Sequence, residues 1–298
     1  MSAGAAQPLP VLTPTRFHDQ PCVELSLPQG DRIRVALHGA HVLSWTTADG
    51  VERLYLSPRA HVDGHSPIRG GVPICFPQFN QRALGDVALP KHGLARTATW
   101  TLMPTEADGP QAQVSFTLQD NAATRALWPA EFNARFSATL APGRLRLAFD
   151  VTNTGDTAWP FALALHTYLK VDDIAGTRLD GLDGLSFWDG VQNLRQPEVR
   201  QQQTGALTFA SETDRVYEAV QAPLTVSHGG GSVAVTQSDN LTEAVVWNPG
   251  ATLCAALDDM PDDGYRQMLC VEAARINAPV LLQPGQSWCG WQDLHVVA

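Results

Sequence analysis

Two ionisable side chains interrupt strongly apolar segments of this sequence. His166 lies in FALALHTYLKV (161–171), and Glu272 lies in MLCVEAA (268–274). A carboxyl group in such a strand must be paired or have a raised pKa, and histidine titrates near neutral pH, so both are candidates for proton transfer. A lone histidine in an apolar strand is more often a hydrogen-bonded core residue. Neither residue therefore assigns a reaction alone.

Several cations stand beside glycines in a long segment rich in Gly and Pro, residues 58–93 and just beyond. Arg69 precedes Gly70-Gly71, and Lys91 and His92 precede Gly93, with Arg96 following. Arginines suit anionic ligands because they donate two parallel hydrogen bonds. Each residue also has a structural alternative: Arg69 as a turn holder, His92 as a turn cap and Arg96 as a surface strand residue. Long ordered loops on a rigid scaffold often carry function.

The elements that must position these residues are strands. Apolar and polar residues alternate strictly over Glu131–Leu140, and the pattern resumes over Arg144–Asn153 after the turn Ala141-Pro142-Gly143, which predicts a long β-hairpin. Similar runs predict strands at Val23–Leu27, Arg32–Leu37, Val42–Thr46, Gln113–Leu118, Phe161–Val171, Leu224–Ser227, Ser232–Gln237, Ala244–Trp247, Gln267–Ala273 and Gln286–Val297. A helix is predicted only at Asn121–Trp128, after an Asp120 cap and before Pro129. The fold class is therefore all-β and antiparallel.

We find no repeat and no linker that would divide the chain. Residues 1–15 are expected to be a flexible N-terminal lead-in, and residues 16–298 a single domain built as a large two-sheet sandwich.

Composition limits the functional classes. The 298 residues carry a net charge of −10 without a basic stripe, which disfavours nucleic acid and anionic membranes as partners. The five cysteines are scattered and contain no CxxC pair, which favours reduced thiols and a cytoplasmic location. The N-terminus lacks a secretory signal pattern, and no apolar run reaches membrane-spanning length. The oligomeric state stays open, and a monomer is compatible with the sequence.

Eight segments in one order resemble the aldose 1-epimerase superfamily, and within it most closely the hexose-6-phosphate mutarotases, or glucose-6-phosphate 1-epimerases. They are HGAHVLSW (38–45), IRGGVPICFPQF (68–79), PKHGLART (90–97), WP (128–129), LHTYLKVDDI (165–174), ETDRVY (212–217), VVWNPG (245–250) and MPDDGYRQMLCVE (260–272). Any one of them would be weak, but their common order is specific. The resemblance implies a galactose-mutarotase-like β-supersandwich with a sugar cleft across one sheet.

The resemblance also implies roles for individual residues. The family's general acid corresponds to His166 and its general base to Glu272. Its substrate-binding residues correspond to Arg69, His92, Arg96 and Asp214. Lys91 is a further candidate cation, at a position where relatives often carry an uncharged polar residue, and the segment AARINAP after Glu272 differs from the glycine-containing turn of some relatives.

The implied reaction interconverts the α and β anomers of a hexose 6-phosphate, glucose 6-phosphate being the expected substrate. Ring opening needs a base for the proton of the C1 hydroxyl and an acid for the ring oxygen, and each positioned proton transfer accelerates a reaction by about 10²–10⁴. The chemistry requires no metal or other cofactor. The 6-phosphate would be bound by Arg69 and Arg96, with Lys91 as a possible third cation.

Other functions compete with this interpretation. A mutarotase of unphosphorylated aldoses would share the acid, the base and the fold, and a non-catalytic carbohydrate-binding protein would share the sandwich. A glycosidase could use Asp214 and Glu272 as its two carboxylates. The pairs His61-x₃-His65 and His38-x₂-His41 are weak metal-site candidates, because neither lies on a helical face. Gly229-Gly230-Gly231 lacks the helix that a nucleotide-binding loop requires.

Overall fold

A computed structural model describes residues 9–82, 89–108, 110–196 and 198–297. Its strands, in chain order, are β1 (Val11–Phe17), β2 (Gln20–Ser26), β3 (Arg32–Ala36), β4 (His41–Thr46), β5 (Ile74–Cys75), β6 (Thr101–Leu102), β7 (Glu106–Asp108), β8 (Gln111–Gln119), β9 (Phe132–Ala141), β10 (Arg144–Asn153), β11 (Trp159–Leu165), β12 (Tyr168–Lys170), β13 (Arg178–Asp180), β14 (Ser186–Asp189), β15 (Gln201–Gln202), β16 (Leu207–Thr208), β17 (Thr213–Tyr217), β18 (Leu224–His228), β19 (Gly231–Gln237), β20 (Glu243–Asn248), β21 (Met268–Leu282) and β22 (Ser287–Val297). Two short helices, α1 (Ala122–Leu127) and α2 (Gly250–Ala255), complete the regular elements together with three 3₁₀ turns, Ala95–Thr97, Ile174–Gly176 and Gly264–Gln267.

The strands form three antiparallel sheets, which confirms the predicted all-β class. The first is the meander β1-β2-β3-β4. The second has the order β16-β13-β18-β19-β22-β10-β9-β8-β6, with β7 also paired to β8. The third has the order β15-β14-β17-β20-β21-β11-β5, with β12 also paired to β21. The long strand β21 therefore lies in the middle of the third sheet, between β20 and the pair β11 and β12.

Alternating side chains build the core. Along β9 the residues Phe132, Ala134, Phe136, Ala138 and Leu140 are almost fully buried, as the two-residue period predicted. They pair with β10 in the register expected of the hairpin, with Leu140 opposite Leu145. One apolar cluster joins residues from all three sheets, including Val35, Phe136 and Leu165. The single-domain expectation stays a prediction, which this shared cluster supports.

The structure differs from the sequence-based expectations at the N-terminal strand and at the start of the predicted helix. Strand β1 begins at Val11, within the residues 1–15 expected to form a flexible lead-in, and pairs with β2 over its full length. Residues 1–8 lie outside the described part. The helix cap is also one residue later than predicted: Asn121, not Asp120, accepts from the backbone N–H groups of Ala123 and Thr124. The side chain of Asp120 instead accepts from the backbone N–H of Phe132.

Among the described residues, no helix combines the length and the apolar character needed to cross a membrane. All five cysteines are free, and Cys289 is the exposed one.

Candidate active site

His166 and Glu272 face each other from adjacent strands. The predicted strand Phe161–Val171 is interrupted: β11 ends at Leu165 and β12 begins at Tyr168, with His166 between them. Leu165 pairs with Ala273 and Tyr168 with Cys270, so the interruption lies opposite Glu272 on β21. His166 Nδ1 is 3.3 Å from Glu272 Oε1. The two residues predicted as acid and base therefore come together in space.

Burial moves the pKa values of this pair in opposite directions. Desolvation, followed by the nearby carboxylate of Asp214, raises the pKa of Glu272 well above its usual value. Desolvation, followed by the cations of Arg69 and Arg96, lowers the pKa of His166 well below its usual value. A carboxylate with a raised pKa is a stronger base, and an imidazolium with a lowered pKa is a stronger acid. Both shifts increase the driving force for transfer from a protonated His166 and to an ionised Glu272, and both lower the fraction of the pair in that starting state at neutral pH.

A buried polar network fixes the backbone beside the pair. The Thr167 hydroxyl donates to the side-chain carbonyl of Gln292 on β22, and the Gln292 amide donates to the Val271 carbonyl at 2.9 Å. Thr167 and Gln292 are fully buried. Because Thr167 follows His166 and Val271 precedes Glu272, this network holds both strands at fixed spacing.

Arg69 is held by side chains that are distant in sequence. Its Nε donates to both carboxylate oxygens of Asp259 at 3.1 Å, and its Nη1 donates to the Tyr168 hydroxyl at 3.1 Å. The side chain of Arg69 therefore binds Asp259 and Tyr168 and does not hold the turn at Gly70-Gly71, which was its structural alternative. The backbone does turn tightly after it: Gly71 has φ +59°, and a Cβ there would lie 2.2 Å from the Val42 carbonyl oxygen.

His92 and Arg96 are presented by one tight segment. The backbone N–H of Asn80 donates to His92 Nδ1 at 3.2 Å, so the ring proton is on Nε2 and that nitrogen is a donor. His92 thus caps a loop and lies 5.5 Å from the His166 ring, centroid to centroid. Arg96, within a 3₁₀ turn, donates from Nη2 to the Lys91 carbonyl at 2.6 Å. Gly93 allows this path, since a Cβ there would lie 2.2 Å from the Phe76 carbonyl oxygen.

Asp214 reaches the site from β17. It pairs with Trp247 on β20, the strand next to β21. Burial, followed by the neighbouring Glu212, raises the pKa of Asp214 to about 6. Such a carboxyl group accepts hydrogen bonds from neutral hydroxyl groups when it is ionised.

Two adjoining cavities contain all seven predicted residues. The smaller, about 200 Å³, is lined by Glu272, Asp214, Trp188 and Trp247, among others. The larger, about 390 Å³, is lined by Arg96, Tyr168, Asp258 and Asp259, among others. Both are lined by Arg69, Lys91, His92 and His166. His166 thus lies where the two cavities meet, and Glu272 lies on the side of the smaller one; Arg69 and Lys91 are shared, with Arg82 added in the smaller cavity and Arg96 in the larger.

The two histidine pairs that were weighed as weak metal-site candidates do not form a cluster of three ligands. His38 Nε2 lies 3.0 Å from the Ser66 carbonyl oxygen and His41 Nε2 lies 2.7 Å from that of Gly70. His61 lies 3.8 Å from Asp258, an exposed carboxylate. Within the described ranges, the metal-ligand side chains that converge in a group of three are His166, Cys270 and Glu272.

Sequence reasoning missed the residues that hold the site together. Asp259, Tyr168 and Gln292 carry the supporting contacts described above, and Trp188 and Arg82 line the smaller cavity. Tyr168 and Asp259 stand close to the quoted motifs, within LHTYLKVDDI and directly before MPDDGYRQMLCVE. Their position within or directly before these motifs was the only sequence signal that could have identified them as site residues.

Comparison with known proteins identifies the family. The sequence model of the family described as Aldose 1-epimerase matches residues 21–295. The chain is 35% identical over 272 residues to a protein of Cenchrus ciliaris named "Putative glucose-6-phosphate 1-epimerase", covering 88% of this chain and 80% of that one. A protein of the same name from Escherichia coli K12 is 34% identical over 267 residues, covering 89% and 86%.

Solved structures agree with these relatives. The structure of YeaD from Salmonella typhimurium, described as a "putative mutarotase", superposes with a TM-score of 0.86 at 30% identity, covering 96% of this chain and 94% of that one. A galactose 1-epimerase from Lactobacillus acidophilus has a TM-score of 0.75 at 15% identity, covering 97% and 99%, which shows the shared fold. The predicted galactose-mutarotase-like fold is thereby confirmed, and the chain belongs to the aldose 1-epimerase family.

Proposed function

We propose that this protein interconverts the α and β anomers of a hexose 6-phosphate, with glucose 6-phosphate as the substrate. As a member of the aldose 1-epimerase family it is an isomerase. The relatives' names supply the phosphorylated substrate. The observation that carries the proposal is the His166–Glu272 pair, 3.3 Å apart, beside two adjoining cavities whose linings include Arg69, Lys91 and Arg96.

In the first half of the reaction, Glu272 accepts the proton of the C1 hydroxyl and His166 donates a proton to the ring oxygen. The bond between C1 and the ring oxygen breaks as the C1 carbonyl forms, which gives the open-chain aldehyde. Glu272 is then neutral and protonated, and His166 is neutral. The opposed pKa shifts of the two groups favour this direction of transfer.

In the second half, rotation about C1–C2 presents the other carbonyl face. His166 takes the proton back from the hydroxyl, and Glu272 returns its proton to the C1 oxygen as the ring closes. The pair regains its starting protonation state, so the cycle consumes no co-reactant. His92 Nε2 donates to the sugar, and the Asp214 carboxylate accepts from a hydroxyl group.

The phosphate is bound in the larger cavity, beside Arg69, Lys91 and Arg96. Arg69 keeps N–H groups free of its contacts with Asp259 and Tyr168, since a guanidinium carries five donors. Arg96 and Lys91 line the same cavity. A free aldose lacks the group that these cations would bind, so we propose a phosphorylated sugar and a cytoplasmic location, where sugar phosphates occur.

Polarimetry tests the substrate. The optical rotation of freshly dissolved α-glucose 6-phosphate and of α-glucose is followed with and without protein. We expect a higher kcat/KM for the phosphorylated sugar and a preference that falls as ionic strength rises, because salt screens the phosphate contacts. Equal efficiency on both sugars at low salt would assign the protein to unphosphorylated aldoses.

A further inference from the structure

A cysteine with no part in the proposed reaction lies beside the acid and base. Cys270 stands two residues before Glu272 on β21, so both side chains point to the same face of the sheet. One ligand atom from each of His166, Cys270 and Glu272 lies within 4.8 Å of the other two, and all three residues are buried. This group combines a nitrogen, a sulfur and an oxygen ligand.

Two atoms of this group have unmet hydrogen-bonding capacity. His166 Nδ1 and Glu272 Oε2 are buried and have no hydrogen-bond partner among the described residues. Glu272 is 1% exposed. Buried polar atoms without a partner cost free energy, and a ligand that contacts them recovers it. The sugar is one such ligand, and a cation is another.

The spacing suits a tetrahedral metal. Bond lengths of about 2.0–2.3 Å for nitrogen, oxygen and sulfur ligands give distances of about 3.3–3.8 Å between ligand atoms in a tetrahedron. The separation of His166 Nδ1 and Glu272 Oε1, 3.3 Å, is already in that range. The thiol needs a movement of about 1 Å or less to match it. Nitrogen with thiolate favours Zn²⁺ and similar ions over Mg²⁺ or Ca²⁺.

We propose that His166, Cys270 and Glu272 form an inhibitory site for a borderline-soft divalent cation of the Zn²⁺ type. The thiol of Cys270 loses its proton to solvent as the metal–sulfur bond forms. The thiolate and the Glu272 carboxylate then balance the two charges of the ion, which offsets the repulsion from Arg69 and Arg96. The fourth position faces the cavity.

Such an ion competes with the sugar. It occupies the lone pairs that the acid and base use, so the bound form is inactive, and the sugar and the ion exclude each other. The site itself is independent of the substrate assignment. Only the inhibition rests on the proposed function.

Cobalt spectroscopy tests the site without any sugar. Co²⁺ replaces Zn²⁺, and a thiolate ligand gives a sulfur-to-metal charge-transfer band in the near ultraviolet. All proteins carry Cys289→Ser to remove the exposed thiol. In this background we expect the band in the reference protein and in Cys254→Ala, whose thiol is buried in the same apolar cluster but outside the ligand group. We expect Cys270→Ala to lose the band.

Activity gives the second measurement. Cys270→Ala, with anomerase activity close to that of the reference, should need at least about tenfold more Zn²⁺ for half-inhibition, because one ligand of three is gone. Cys254→Ala should match the reference, and a chelator should restore both. If Cys270→Ala fails to fold, Cys270→Ser replaces it. A band that persists without Cys270, or its absence from the reference protein, would overturn the site, whatever the sugar assay shows.

Discussion

Replacement of Arg96 by alanine separates phosphate recognition from the chemical steps. Arg96 Nη2 donates to the Lys91 carbonyl, and the side chain lines the larger cavity, so other N–H groups of its five remain for a phosphate. One charge-assisted hydrogen bond contributes about 1.5–3 kcal/mol. Arg96→Ala should therefore lower kcat/KM for glucose 6-phosphate by about 10- to 150-fold. For glucose, which lacks the phosphate, kcat/KM should change by less than about threefold.

The assay is polarimetry on both sugars at low ionic strength, with Arg59→Ala as the matched control. Arg59 is an exposed arginine that contacts Asp262 and does not line either cavity. Arg69 is a poorer choice for the primary test, because its removal would leave Asp259 without its cation. Equal damage to both sugars in Arg96→Ala would refute a phosphate-binding role and make this arginine a hydroxyl-binding or structural residue.

Three further predictions follow from the site. His166→Asn should fold normally and lose about 10²–10⁴-fold in kcat, measured at saturating glucose 6-phosphate; near-full turnover would exclude His166 as the acid. Exhaustive chelation should leave activity unchanged or raise it, and activity lost to a chelator and restored by one divalent ion would contradict a cofactor-free reaction. The folded-state pKa of Asp214, about 6, lies above its ordinary value of 3.8, so the stability that it contributes is present below about pH 4 and is lost as the pH rises through 6. Asp214→Asn should therefore gain about 1–2 kcal/mol in unfolding free energy relative to wild type at pH 8, and less at pH 5, in urea titrations at both pH values; a gain independent of pH would contradict the shift.

Two-residue alternation predicted the strands well where one face is buried. The hairpin of β9 and β10 was predicted to within one residue, because its inward positions are almost all apolar. The same pattern could not find the break between β11 and β12, since His166 and Thr167 are buried like the strand residues around them. The break places His166, the candidate acid, between the two strands and not within a continuous one.

Short elements without alternation were missed. Strand β1 (VLTPTRF) contains a proline and is mostly exposed, which removes the apolar pattern. Helix α2 has only six residues; its start is marked by Asn248-Pro249, with the Asn248 side chain accepting from the backbone N–H of Gly250, but it lacks an apolar period that would predict a helix. Their positions depend on contacts made elsewhere in the fold.

For the candidate site, the sequence indicated which residues take part but not the contacts that hold them in place. The resemblance to a known family identified seven candidate site residues, and all seven line one pair of adjoining cavities. The contacts that hold them could not be predicted: Arg69 and Asp259 are 190 residues apart, and Thr167 and Gln292 are 125 apart. Such pairs are set by sheet order and register, which local patterns do not encode.

The central claim is that Glu272 is the base in the exchange of glucose 6-phosphate anomers. Magnetisation-exchange NMR measures the α-to-β rate at equilibrium in wild type and in Glu272→Gln, a variant that nearly preserves the shape of the side chain. We predict a large acceleration over buffer in wild type and a loss of about 10²–10⁴-fold in the variant, with unchanged thermal unfolding as evidence of folding. Absence of acceleration by wild type, or exchange in Glu272→Gln at the wild-type rate, would contradict the account.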